Sequence, residues 1–410
     1  MKILFLEKRI LFPPDTGGKI RTLNVLRYLA RWHDVTYLCN VQPGDEPHLG
    51  QMRALGVRLE TIPWRETPRD SWRFYRDLAC NLLSPYPFTV AKDYDPALRG
   101  RAEELLAEEP YDLLVCDFVQ MARNAIGLDV QAKVLFQHNV EAQILRRHVE
   151  VGCGRLRRKY MTHQWRKMCR FEAEAGSNFD AVIAVSQQDR LTFEEQYGWT
   201  HVGAIDTAVD VEYFGCDGYV ERENRVVFLG SMDWLPNQDA VRFFVDCIWP
   251  LVRRSHPQAV FQIVGRNPSR AVTRLAETQG VEVVGTVPDV RPYLAEASVI
   301  VVPLRIGGGT RIKIVEAMAM GKAIVSTSLG AEGLKVNRDE HVLLADTPDA
   351  FANAVNGLLG SRSVRDHIGE SARRLVTQHF SAETAARQFE EICLEALRSG
   401  AERAGGKSAS

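Results

Sequence analysis

The feature that most constrains this chain is an alternation of short, near-continuous apolar runs with longer amphipathic ones, which stops midway and then restarts. In the first half the apolar runs are Lys2–Leu6, Val35–Cys39, Val57–Ile62, Asp112–Cys116, Lys133–Gln137 and Ala181–Val185. Each is short and rich in apolar or β-branched residues, the composition of a strand covered on both faces. Helical spacing lies between them: in Gly18–Trp32, Ile20, Leu23, Leu26 and Leu29 recur at intervals of three and share one face. Strand-helix alternation of this kind predicts a parallel sheet with right-handed crossovers.

The pattern pauses at the polar stretch Gly215–Asn224 and then resumes with Arg225–Leu229, Ala259–Val264, Val281–Val284, Val299–Val302, Ala323–Ser326 and His341–Ala345. Helices fit between these runs, at Gln238–Val252, Ser269–Glu277, Val290–Ala297 and Arg311–Met320, and two more follow at Ser363–Gln378 and Ala382–Arg398. A length of 410 residues suits two such units. The expected organisation is α/β, with a domain over 1–206, a linker over 207–224 and a second domain over 225–380. A terminal helix over 381–398 is expected to pack back on the first domain, followed by a small, polar, disordered tail over 399–410. Two doubly wound domains facing each other make a cleft, and ligands bind beyond the carboxyl ends of the strands.

Charge and composition narrow the function. A formal net charge of -1 gives no global field for nucleic acid. No run approaches 18 apolar residues, and the opening MKILFLEKRI is too short for a signal peptide, so a cytoplasmic protein is expected. The eight cysteines form no C-x-x-C pair and read as thiols kept reduced, several of them buried in strands or helices. G-x-G-x-x-G is absent after the first strand, which argues against a dinucleotide dehydrogenase. Asp93 and Asp95 flank one residue in an arrangement that could suggest a metal-diphosphate site. Pro96 and the helix that follows favour capping instead.

The segment VIVVPLRIGGGTRIKIVEAMAMGKAIVST carries the strongest chemistry. A strand ends near Pro303, Gly307, Gly308 and Gly309 follow, and a helix opens after Thr310 with Arg311 and Lys313 in its first turn. Glycines let a backbone approach an anion, and free amides at a helix start favour negative charge. Cations in a first turn oppose the helix dipole, so their presence needs a reason, and a diphosphate supplies one. Glu316, one turn further, is placed to accept hydrogen bonds from ribose hydroxyls.

This segment resembles the donor-site motif of the retaining glycosyltransferase family 4, whose members have the GT-B fold of two Rossmann-like domains facing across a cleft. The likeness runs over essentially the whole chain, through MKILFLEKRILFPPDTGGKIRTLNVL, AVIAVSQQD, IDTAVDVEYF, IVGRN and VEVVGTVPDVRPYLAEASVIVVP. More narrowly, the chain resembles bacterial sugar transferases of exopolysaccharide and exosortase gene clusters. The resemblance implies a nucleotide-sugar donor, UDP- or GDP-type, a sugar or lipid-linked acceptor, and no essential metal or other cofactor. It implies ribose binding by Glu316 and contact of His138, just after KVLFQ, with the transferring sugar. It also brings the Gly17–Gly18 loop to the donor phosphate or the acceptor. Val284, Gly285 and Val287 would form the base-binding corner, with Gly265 in the neighbouring loop. Lys19 and Arg21, beside Gly18, are solvent-facing or functional. Asp117 is a candidate for acceptor binding or for a helix cap.

Two departures from the family pattern stand out. The first of its two glutamates would fall at Gly308 and is absent, leaving the amides of Gly308–Thr310 as substitutes. Relatives carry an arginine and then a lysine after the first strand of the second domain. Here Gly230, Ser231 and Asn237 occupy that stretch, so Arg311 and Lys313 are expected to supply the charge. Asn237 is a ligand contact or a helix cap.

The segment Asn139–Gly176 reads as long, helical and basic, with Leu156, Tyr160, Trp165, Met168 and Phe171 as its apolar stripe. Its cations, over 146–170, suit either solvent or an anionic membrane surface, the latter placing the protein peripherally on the inner face of the membrane. Rival functions are a nucleotide-sugar epimerase of the same fold, which needs acid/base carboxylates in the first domain, and a non-catalytic nucleotide-sugar-binding partner.

Overall fold

A computed structural model describes the chain except for residues 69–70, 152–153, 206–207, 216–219, 307–311 and 408–410. It divides into two compact units, Met1–Asp206 with Ala385–Ser410, and Thr207–Thr384. The first is built on seven strands: β1 (Lys2–Arg9), β2 (Asp34–Val41), β3 (Arg58–Pro63), β4 (Leu113–Asp117), β5 (Ala132–Gln137), β6 (Ala181–Ala184) and β7 (Val202–Ala204). The second has six: β8 (Arg225–Leu229), β9 (Val260–Val264), β10 (Val281–Gly285), β11 (Val299–Val302), β12 (Ile324–Ser326) and β13 (Leu343–Leu344). Every pairing is parallel.

The strand orders are β3-β2-β1-β4-β5-β6-β7 and β10-β9-β8-β11-β12-β13. Each runs outward in both directions from its first strand, the doubly wound order of a Rossmann domain, and each has a switch point beside that strand. The central strands are buried on both faces, which is why they read as continuous apolar runs.

The helices that position functional residues are α1 (Gly17–Trp32), α2 (Trp72–Asn81), α3 (Glu141–Val151), α4 (Arg155–Ser177), α5 (Ile312–Ala319), α6 (Arg362–His379) and α7 (Ala382–Lys407). In the first unit α7 lays Phe389 edge-on against Phe136 at 5.2 Å and Ile392 over Gly203, where a Cβ would collide with it. His33 and Glu390 pair at 2.7 Å. α7 runs on to Lys407, past the expected end at Arg398, because Ala401, Glu402, Arg403 and Ala404 are good helix formers.

Other elements differ from the sequence reading. Strand β7 was not anticipated, since three residues carry too little pattern to register. The helix expected over Gln238–Val252 is interrupted by a wide turn at Phe244–Ile248, next to Pro250, which lacks the amide that would continue the ladder. Residues 207–224 do more than link. Val209 and Phe214 enter the second core, and Glu221 pairs with Arg365 of α6 at 2.7 Å.

The basic segment is two helices, α3 and α4, with Gly154 at φ 81 leading into the second. Met168 and Phe171 are buried as the stripe requires, but Leu156 is 85% exposed. Lys167, expected among the solvated cations, is buried and donates to the Asn81 carbonyl at 2.5 Å. Cys80 and Cys247 are exposed, while Cys39, Cys116 and Cys393 are buried. Asp95 caps its helix by accepting the Ala97 amide at 2.9 Å, whereas Asp93 pairs with Lys8 instead.

Candidate functional site

In the second unit the sequence candidates converge at the carboxyl ends of β8 and β9. Two backbone hydrogen bonds join the strand ends, the Gly230 amide donating to the Val264 carbonyl at 3.0 Å and the Met232 amide to the Arg266 carbonyl at 2.9 Å. A Cβ at Gly265 would overlap the Gly230 carbonyl, so only glycine allows the loops to meet this closely. The Gly265 amide in turn donates to the Gly285 carbonyl at 2.9 Å, where Gly285 takes φ 79. Val284 and Val287 are partly buried and pack on the core beside this corner.

Asn237 is the hub of this site. It is 3% exposed and lies inside the first turn of the helix Leu235–Phe243, capped by Trp234, so it is not the cap. Its Nδ2 donates to the Ser231 carbonyl at 2.9 Å, and its Oδ1 accepts from Lys313 Nζ at 2.8 Å. The ammonium also lies 4.4 Å from the centroid of the Phe228 ring. A Cβ on Gly230 would come within 2.8 Å of that ammonium, so the glycine leaves the cation room. One turn along α5 from Lys313, Glu316 is 9% exposed. Burial pushes its carboxyl up to about 7, with Lys313 pulling the other way. A buried carboxylate held near neutrality is costly, and such groups concentrate at functional sites.

The stretch Gly230–Asn237 carries no cation of its own, yet two reach it from elsewhere. Lys313 from α5 sits on Asn237. Arg266, which follows Gly265 in the loop after β9, donates from Nε to Ser231 Oγ at 2.6 Å. Its Nη2 lies 3.4 Å from Asp233. Sequence reasoning missed Arg266 because its importance depends on β9 lying beside β8. The only trace was its place next to the crossing glycine. Gly307, Gly308, Gly309, Thr310 and Arg311 lie outside the described residues.

In the first unit a polar cluster forms at the carboxyl ends of β1, β4 and β5 and the start of α1. His138 follows β5 and is 1% exposed, rather than open to solvent. Its ring stacks on Phe118 with centroids 4.0 Å apart. His138 Nε2 is 2.6 Å from Asp117 Oδ1, and Thr22 Oγ donates to Asp117 Oδ2 at 2.6 Å. Burial lifts Asp117 well above the ordinary carboxylate range, and burial with the Arg21 charge holds His138 well below that of an imidazole. His138 Nδ1 is buried with no hydrogen-bond partner among the described residues. Asp117 is fully buried, holds His138 in place and is not a helix cap, the cap position after β4 belonging to Phe118.

Two further residues, Arg21 and Glu7, join the cluster. Arg21 is buried, not solvent-facing, and donates to the His138 carbonyl at 3.4 Å. Lys19 points the other way, to Asp15 at 3.2 Å. Glu7, inside β1, is raised by burial and then by the charge of Asp117, so a second buried carboxyl lies near the one the sequence reading named. A charged residue within an apolar strand was the overlooked signal. Thr16 caps α1, with Gly17 as its first residue. A Cβ on Gly18 would fall 2.5 Å from Phe118 Cζ, so Gly18 makes room for that ring. Phe118 itself takes φ 67, a conformation a bulky residue adopts only under constraint.

Residues 223–361 match a family model described as glycosyl transferases group 1. Over 394 residues the chain is 19% identical to an uncharacterised 44.6 kDa protein in the cps region of Klebsiella pneumoniae, covering 93% of this chain and 97% of the relative. Among solved structures, Anabaena HepE in complex with UDP and glucose is 16% identical, with a TM-score of 0.67 over 95% of this chain and 98% of HepE. Sucrose-phosphate synthase of Thermosynechococcus elongatus is 16% identical, with a TM-score of 0.69 over 97% of this chain and 100% of that one. TarM is 11% identical, with a TM-score of 0.70 over 96% and 98%. These likenesses establish the fold, that of GT-B glycosyltransferases, and the match to glycosyl transferases group 1 falls within the second unit.

Proposed function

We propose that this chain is a retaining glycosyltransferase of family 4 that moves a sugar from a nucleotide-sugar to a sugar or lipid-linked acceptor. The observation that carries the reading is the cationic site at the carboxyl ends of β8 and β9, with Glu316 buried one turn beyond Lys313. It lies within the segment that matches glycosyl transferases group 1. Diphosphate is the leaving group, and negative charge grows on it as the glycosidic bond to the nucleotide breaks. Lys313, Arg266 and Arg311 stabilise that charge, with the amides of Gly308–Thr310. The Glu316 carboxylate accepts from the ribose hydroxyls. His138, whose Nδ1 has no partner among the described residues, contacts a hydroxyl of the transferring sugar, and its burial disfavours the charged ring that would repel the positive charge developing on the sugar. Glu7 and Asp117 are both buried, and burial disfavours their charged forms, which favours attack from the face the nucleotide leaves over a carboxylate nucleophile.

HepE in complex with UDP supports a UDP-type donor, with GDP-type the alternative. The Klebsiella relative in the cps region supports a role in exopolysaccharide or glycolipid synthesis. The chemistry assigned to these residues needs no metal or other cofactor. The protein acts in the cytoplasm, with peripheral contact to the inner membrane face through the cations of 146–170.

The test is a panel of UDP-, GDP- and ADP-sugars offered to the purified protein without metal, reading binding and slow nucleotide release. Selective binding of one donor with release of its nucleoside diphosphate is expected. Binding of none overturns the reading. The buried Glu7–Asp117 pair favours a second reading, a nucleotide-sugar epimerase of the same fold. Conversion of the donor to its epimer with no nucleotide release would establish that instead, and binding with neither reaction would leave a non-catalytic partner.

A further inference from the structure

Helix α2 is amphipathic in an unusual sense, because the face it turns to solvent is largely apolar. Ser71 caps it, accepting the Phe74 amide at 3.2 Å, and Phe74 turns inward to meet Phe88 edge-on at 5.5 Å. On the opposite side Trp72 is 79% exposed and Tyr75 55%; Leu82 and Leu83, at the end of the helix, are 48% and 94% exposed. Positions 72, 75, 79 and 83 are three and four residues apart and form one stripe. Arg73 and Arg76 are exposed beside it.

The stripe is held against α4. Lys167 Nζ donates to the Asn81 carbonyl, Gln164 Nε2 donates to Asn81 Oδ1 at 2.9 Å, and His163 Nε2 lies 3.2 Å from the Leu82 carbonyl. From Arg155 to Arg170 the sequence has no acidic residue. Arg155, Arg157, Arg158, Lys159, Arg166 and Arg170 are exposed there, and Leu156 stands among the first of them. Of the ten strongly exposed large hydrophobics among the described residues, five lie on these two helices and the turn after α2. Clustering of that kind marks an interaction surface.

We infer that α2, with the first turns of α4, is the surface by which this protein inserts into an anionic lipid bilayer. This deepens the peripheral membrane reading and rests on it. Tryptophan and tyrosine prefer the interfacial layer, where an apolar ring and a polar edge are both accommodated. Leucines at the stripe's end enter the acyl boundary, and the adjoining cations meet lipid phosphates. Charge decides between this occupant and a second copy of the chain. A two-fold pairing through the same patch would set α4 cations against α4 cations, whereas an anionic membrane complements them.

The experiment is flotation of the full chain with vesicles of phosphatidylcholine alone or with phosphatidylglycerol added. Wild type is expected to float with the anionic vesicles only, and Trp72→Ser/Leu83→Ser to bind them about tenfold more weakly or worse, a loss of at least roughly 1.4 kcal/mol. Because both side chains are exposed, the variant keeps the wild-type melting curve and nucleotide affinity. A double variant that floats like wild type overturns the assignment to α2 while leaving peripheral binding intact. Failure of wild type to float removes the membrane reading itself. Concentration-dependent dimerisation abolished by the double variant, seen by sedimentation, would make the patch a protein interface and overturn the inference.

Discussion

Replacing Glu316 with glutamine should make the protein more stable and a poorer binder of nucleotide at once. The carboxyl is 9% exposed, and burial raises it from the ordinary 4.5 to about 7. That displacement is worth roughly 3 kcal/mol at about 1.4 kcal/mol per tenfold change. The sign follows from which state holds the proton. Below about pH 4.5 both folded and unfolded chains carry it, and there is no penalty. As pH rises toward 7 the unfolded chain releases it first, and stability falls. Above 7 the folded protein holds a buried anion, and the full loss is present. Glutamine has the same shape and never ionises. Glu316→Gln should therefore match wild type at about pH 4.5 and exceed it by roughly 2–3 kcal/mol at about pH 8.5 in denaturant unfolding. Its nucleotide affinity should drop by roughly tenfold or more, since a hydrogen bond to a charged group is worth about 1.5–3 kcal/mol. Calorimetric titration with the nucleoside diphosphate of the donor reads the second effect. A variant less stable than wild type at the higher pH, or equally shifted at both, would refute the argument that burial alone raises this group. Unchanged affinity would remove Glu316 from the donor site.

Other outcomes follow from the same geometry. Arg266→Ser should weaken nucleotide binding by roughly tenfold, the scale of one charge-assisted contact, and Ser231→Arg in that background should restore it by returning a guanidinium to the same place; a titration of both variants decides. Asp117→Asn puts an amide of the same shape beside His138 Nε2 and Thr22 Oγ, able to pair with both, and should fold like wild type, whereas Asp117→Ala leaves buried groups unpaired and should cost about 1–3 kcal/mol in urea unfolding. Gly18→Ala presses a methyl against Phe118 and should cost about 1–3 kcal/mol by the same measurement. His138→Ala should lower the transfer rate at least a hundredfold, as loss of a positioned group does, while binding of the nucleotide alone, measured by calorimetry, is unchanged.

Much of the architecture was legible because it is written in local periodicity. A strand buried on both faces needs a short apolar run and an amphipathic helix needs a three-four spacing, and neither requirement refers to distant residues. That is why twelve of the strand runs, in two successive sets, could be read directly. Lys313 and Glu316 were also legible, since a cation and a carboxylate three residues apart on a helix necessarily share a face. The short β7 and the pairing role of Asp93 escaped for the converse reason: their meaning depends on neighbours far along the chain.

By itself, then, the sequence determined the class of fold, the number of sheets and the helix that bears Lys313 and Glu316. Only the tertiary structure decided that β9 runs beside β8, so that Arg266 reaches Ser231 and supplies a charge its own stretch lacks. It alone buried His138 beneath Phe118, brought Glu7 within reach of the Asp117 charge, and left Trp72 and Leu83 facing outward. The physical reason is that hydrophobic periodicity records how much of a residue is covered, not what covers it; partners are chosen by strand order and by close crossings such as Gly230 with Gly265, and those exist only once the chain has folded.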